Sequence, residues 1–231
     1  MKITILPIIV TIFLAYNNGL SEYKVNNSKS SKRSIDQLKN NADYINLNTF
    51  EGVFINLKYA TKDNFMGENL YGDFNQCYLH RIAANKLKNA VKYLQKDKPG
   101  FKFLLFDCLR PRSVQYKMWN RVKGTSNQSY VANPHRGSIH NYGLAIDLSL
   151  INENGEELDM GTPYDTFSKL SEPRMEKHFL KLGKLNQNQY KNRLILRNAM
   201  IKAGFKQLPN EWWHFDALSG KNVREKFKIV E

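Results

Sequence analysis

Cysteine is scarce in this chain of 231 residues: only Cys77 and Cys108 occur. They can form at most one disulfide, and pairing is chemically permitted if the chain reaches an oxidising compartment. Each also sits among aromatic or aliphatic residues, where a thiol can serve as a small buried hydrophobe, so the sequence leaves pairing open. No cysteine lies directly after the apolar N-terminal run, and no lipoprotein anchor is indicated. Beyond that run no segment is long and apolar enough to span a bilayer, which takes about 20 residues. Internal repeats and a second domain boundary are missing as well. The net charge of +14, from 35 lysines and arginines against 21 acids, favours anionic surfaces such as nucleic acid, acidic lipid or a polyanionic wall. Yet there is no arginine-rich arm, and the lysines are scattered rather than gathered into the stripe that nucleic-acid binding uses. No nucleic-acid partner is expected.

What is present begins at the N-terminus. Lys2 is followed by ITILPIIVTIFLAY and then by small residues at Gly19 and Ser21. The pattern predicts an export signal over residues 1–21 and a mature protein in the periplasm or cell envelope, with no stable membrane anchor. Residues 22–42 are rich in Ser, Asn and Lys without periodicity and predict a flexible linker. The folded domain is expected over 43–231, and 42% hydrophobic residues suffice for an ordinary core. Ala83, Leu87, Ala90, Val91 and Leu94 recur at helical spacing. Leu196, Ala199, Met200 and Ala203 repeat that pattern before Gly204, a residue suited to end a helix. A further helix is predicted over SVQYKMWNRV. Strands are predicted within PGFKFLLFDCLRP, LAIDLSL and EWWHFD, and residues 122–137 read as a loop. The fold class is a single α+β domain with helices packed on a small, mostly antiparallel sheet.

One acid stands out. In LAIDLSL, Asp147 alternates with Leu144, Ile146, Leu148 and Leu150, so it lies on the small, polar face of a buried strand. A buried carboxylate needs a strong partner. His140 precedes it in a Gly-rich turn, and His plus Asp suits zinc, which takes imidazole nitrogen and carboxylate oxygen. A third ligand must come from elsewhere. His80 opens a helix and reads as a surface or capping residue, and His178 reads as a helix-surface residue. His135 lies in a loop and is a weak candidate. His214 alone reads as a core histidine between aromatics, but with His140 and Asp147 it reads as the third ligand. Glu211, three residues before His214, is the candidate base for the attacking water and acid for the leaving amine. On an ideal strand it would point away from His214, so it is expected at the bend after Pro209. Positive charge for the transition state falls to Arg110 at the end of a strand, although Arg112 is equally basic.

Several stretches then resemble one family. SIHNYGLAID followed by EWWHF is similar to the zinc D-alanyl-D-alanine dipeptidases, the type known from vancomycin resistance. KYATKDNFMG, FDCLRPRSVQ, DMGTPYD and NRLILRNAMIKAGF extend the resemblance, in order, over most of the chain from about residue 45. It implies one zinc ion held by His140, Asp147 and His214, with Glu211 as catalytic base and acid and Arg110 stabilising the transition state. It also implies that Tyr59 and Asp165 receive the substrate's free amino group and that Ser138 lies near its polar backbone. The fold it implies is the compact one shared with related cell-wall D,D-peptidases and the hedgehog signalling domain. The expected substrate is D-Ala-D-Ala; the alternative is a zinc D,D-carboxypeptidase or endopeptidase acting on peptidoglycan stem peptides. A zinc-stabilised but inactive binding module would have lost Glu211, which is present. Two departures stand out: the loop YVANPHRGSIH is longer than in the resistance enzymes, and the export signal points to wall-derived peptides rather than a cytoplasmic pool.

Overall fold

The helical periodicity over residues 83–94 becomes a real buried face in the computed structural model, which describes residue 36 and residues 38–231. Ala83, Leu87, Ala90, Val91 and Leu94 all turn inward on helix α1 (Arg81–Asp97), and Leu196, Ala199 and Met200 do so on α4 (Gln187–Lys202). The two helices pack on each other and on the central strands β4 (Lys102–Asp107) and β5 (Ala145–Ile151). Just past α4, Gly204 adopts φ +88°, the left-handed conformation that closes a helix. Helix α2 (Arg112–Val122) matches the predicted second helix. Two further helices, α3 (Glu176–Lys181) and α5 (Gly220–Lys226), are short.

The main sheet has five strands in the order β2 (Val53–Ile55), β4, β5, β7 (His214–Asp216), β6 (Lys206–Gln207). Every neighbouring pair is antiparallel except β2 and β4, which run parallel. A separate antiparallel pair joins β1 (Tyr44–Asn46) to β3 (Tyr78–His80). The expected single α+β domain is what forms. Strand β5 is buried along all seven residues. Its alternation therefore divides two buried faces rather than separating core from solvent.

Two expectations need correction. EWWHFD is a strand only from His214 onward; Trp212 and Trp213 lie in a bend, because the chain is still turning after Pro209. The linker expected to run to residue 42 is ordered at its end: Leu38 is 3% exposed and belongs to the core, held there by apolar burial. The signal expected over residues 1–21 and the linker up to residue 35 lie outside the described residues. Cys77 and Cys108 are joined in a disulfide with Cα atoms 5.4 Å apart, tying the residue before β3 to the residue after β4. No helix among the described residues is long and apolar enough to cross a membrane.

Candidate metal centre

Asp147 stands in a row that crosses three strands, opposite Asp107 of β4 on one side and His214 of β7 on the other. Residues in register on neighbouring strands share a face. The register of β4 shifts between Leu105 and Asp107, so Phe106 is the extra residue of a bulge and Asp107 replaces it opposite Asp147. His140 reaches the same spot from a 3-10 turn, Ile139–Tyr142, immediately before β5. Ser138 caps that turn: its Oγ accepts from the His140 N–H at 3.3 Å, while Asn141 Oδ1 accepts from the Ser138 N–H at 2.8 Å. Gly143 ends the turn at φ +65°, and a Cβ there would meet the His80 backbone nitrogen at 2.9 Å. Only glycine satisfies both the turn and this close approach.

Three donor atoms converge. His140 Nε2 lies 3.2 Å from Asp147 Oδ1 and 3.1 Å from His214 Nδ1, and His214 Nδ1 lies 2.9 Å from Asp147 Oδ1. Ligands about 2.0–2.1 Å from a tetrahedral zinc are separated by about 3.3 Å, close to these spacings. The proton positions agree. His140 Nδ1 lies 2.7 Å from the Cys108 carbonyl and must donate to it, leaving the Nε2 lone pair inward. His214 Nε2 donates to Asp216 Oδ1 at 2.9 Å, so Nδ1 is the nitrogen that a metal could take in place of a proton. Burial works against charge on both Asp147 and His214. Yet the two imidazoles hold the Asp147 carboxyl well below its ordinary range, and Asp216 and Asp147 hold His214 well above its own. Two lone pairs and a carboxylate oxygen facing one point, in an electrostatic setting that demands positive charge, fit a divalent cation.

Residues that sequence reasoning passed over hold this centre in place. Tyr164 donates its hydroxyl to Asp147 Oδ2 at 2.8 Å, so Oδ1 alone faces the two histidines. Asp216 orients His214 as a metal ligand's carboxylate partner does. Asp107, fully buried, accepts from Arg110 Nε at 2.8 Å and Nη2 at 2.6 Å, and also from the Tyr71 hydroxyl. Arg110 further donates to Gln115 at 2.9 Å and covers the Tyr59 ring at 4.9 Å, with Nη2 3.7 Å from Asp147. Asp107 carried the same signal as Asp147, an acid in a buried aliphatic run. Asp216 also had one: it lies two residues from His214, on the same strand face. Tyr164 had no local signal.

The centre opens into a cavity of about 270 Å³. Arg110, Glu211, Ser138, Tyr59 and Asp165 all line it together with the candidate ligands Asp147 and His214. Such a volume suits a small ligand. Glu211 Oε2 lies 3.9 Å from His214 Nδ1, and burial pushes its carboxyl up to about 7 against the pull of His214. Tyr59 donates to Asp165 Oδ1 at 2.9 Å. Asp165 is the one non-glycine described residue with positive φ, +59°, and burial pushes it up to about 8.

This shift has a measurable consequence. Folded Asp165 keeps a proton that an unfolded carboxyl of ordinary value 3.8 has lost, so it opposes folding increasingly as pH rises from about 4 to about 8. Asparagine removes the ionisation and tolerates the left-handed backbone. The metal-free Asp165→Asn protein is therefore expected to melt above the wild type at pH 8 and level with it at pH 4. A Tm difference that calorimetry finds independent of pH would contradict this.

A family model described as D-ala-D-ala dipeptidase matches residues 41–230. The chain belongs to the D-Ala-D-Ala dipeptidase family. It is similar to the D-alanyl-D-alanine dipeptidase of Escherichia coli (strain K12), 32% identical over 167 residues, covering 72% of this chain and 80% of that protein. The D-alanyl-D-alanine dipeptidase of Enterococcus faecium is 32% identical over 182 residues, covering 71% of this chain and 85% of its own. That of Streptomyces coelicolor is 28% identical over 190 residues, with the same coverage of 71% and 85%.

This dipeptidase-family chain keeps its other histidines away from the centre. His80 is buried rather than on the surface and caps α1, its Nδ1 accepting from the Ile82 N–H at 3.2 Å. His178 is exposed on α3, and His135 is exposed beside Tyr116. Arg112 pairs with Glu231, so of these two neighbouring arginines it is Arg110 that lines the cavity.

Proposed function

We propose that the chain is a zinc-dependent D,D-dipeptidase that cleaves D-Ala-D-Ala to free D-alanine, with one zinc ion held by His140, Asp147 and His214. The observation that carries this reading is the convergence of those three donor atoms at one end of a small cavity that Glu211, Arg110, Tyr59 and Asp165 also line. Zinc at that point would polarise the scissile carbonyl and lower the pKa of a water. Glu211 takes the water's proton and delivers it to the leaving amine, roles suited to a carboxyl raised toward neutrality. Arg110, held rigid by Asp107 and Gln115, directs its charge at the developing oxyanion. Asp165 and Tyr59 receive the substrate's ammonium group, and Ser138 meets its polar backbone.

An exported enzyme acting on wall-derived peptides is the setting we infer. The apolar run after Lys2 supports it, as does the Cys77–Cys108 disulfide, since such bonds persist in oxidising compartments. The activity is tested with the purified zinc-loaded protein on D-Ala-D-Ala and on its N-acetylated form. The free amine should be cleaved faster. Faster cleavage of the blocked substrate would instead support a D,D-carboxypeptidase or endopeptidase.

A further inference from the structure

The cavity holds a second guanidinium. Arg224, on α5, lines it beside His214, Asp216, Ser138 and Gly220. Its Nε donates to the Arg136 carbonyl at 3.1 Å and its Nη2 to the Gly137 carbonyl at 3.2 Å. These bonds fix the side chain, and among the described residues no carboxylate forms a salt bridge with it. Arg110 differs in this respect, because Asp107 pairs with it through two hydrogen bonds.

The cavity otherwise presents acids. Asp147, Asp165, Glu211 and Asp216 all line it. A dipeptide is a zwitterion, and its carboxylate needs a cation that no carboxylate already pairs with. Once the ammonium group is assigned to Asp165 and Tyr59, the peptide bond lies at the metal centre and the carboxylate falls beyond it. The contacts of Arg224 are with the segment that leads into Ser138, not with Asp165 or Tyr59. Asp216, on the outer nitrogen of His214, is among the charges that act on it, and its Gly137 partner adjoins Ser138. Gly220 makes room for it, since a Cβ there would lie 2.6 Å from Arg224 Nη1.

We propose that Arg224, together with the Ser138 hydroxyl, binds the free C-terminal carboxylate of the dipeptide and so restricts the enzyme to substrates that end one residue after the cleaved bond. This rests on the dipeptidase reading. Asp165 then selects a free amine at one end and Arg224 a free acid at the other.

The test measures kcat and KM for D-Ala-D-Ala and for its C-terminal amide, with wild type, Arg224→Met and Gly220→Ala. The wild type should favour the acid. Arg224→Met should raise KM for the acid about 10- to 100-fold, the effect of losing a hydrogen-bonded charge, with little change for the amide. Gly220→Ala, which displaces the guanidinium without removing it, should shift the ratio the same way by less. Equal losses on both substrates would mean that Arg224 merely braces the loop at residues 136–137, and unchanged kinetics would remove it from the site. Either result overturns the inference while leaving D-Ala-D-Ala cleavage by the wild type intact. A wild type that cleaves neither substrate would instead overturn the dipeptidase reading, and this inference with it.

Discussion

Replacing Glu211 with glutamine is expected to lower kcat on D-Ala-D-Ala by about 10²- to 10⁴-fold, the range for removing a positioned acid–base group. The two side chains have nearly the same shape, so the cavity is preserved. Glutamine can neither take the water's proton nor return it to the leaving amine. Zinc should stay bound, because Glu211 is not one of the three converging donors and stands 3.9 Å from His214 Nδ1. The checks are steady-state kinetics together with metal content on the same preparation. Hydrolysis at the wild-type rate with zinc still in place would show that another group carries the proton.

Arg110→Met is expected to act on both activity and stability. Loss of an electrostatic donor to the oxyanion costs about 10²- to 10³-fold in kcat. The same change leaves Asp107, which is wholly buried, without its cationic partner. Breaking a buried pair from one side destabilises by about 3–5 kcal/mol, since the remaining charge stays desolvated. The Tyr71 hydroxyl and the Cys108 N–H still donate to Asp107 and soften that loss. Denaturant unfolding measures the stability and kinetics the activity. A variant as stable as wild type would contradict the role assigned to the Asp107–Arg110 pair, and one with unchanged kcat would contradict the role assigned to Arg110.

The sequence made part of this site visible because certain residues contradict their surroundings. Asp147 within an aliphatic run, and His214 between large aromatics, each needed a reason beyond packing. The helices were visible because α1 and α4 bury one periodic face. Glu211 could be placed off the strand because Pro209 and the two-residue strand period leave it no other way to meet His214. What escaped depends on contacts between distant segments. The Phe106 bulge that aligns Asp107 with Asp147 has no local signature, and neither does the hydroxyl that Tyr164 sends to Asp147. The parallel pairing of β2 with β4 joins two strands with α1 between them. Leu38 reads as linker because one apolar residue in a polar stretch shows no periodicity, although the fold buries it.

The central claim is that His140, Asp147 and His214 form one metal site. Elemental analysis of the purified protein, beside Asp147→Asn and His214→Ala, tests it most directly. The expected result is one zinc per wild-type chain and substoichiometric zinc in both variants, with the fold retained by circular dichroism. Stoichiometric zinc in either variant, or none in a wild type supplied with zinc, would contradict it.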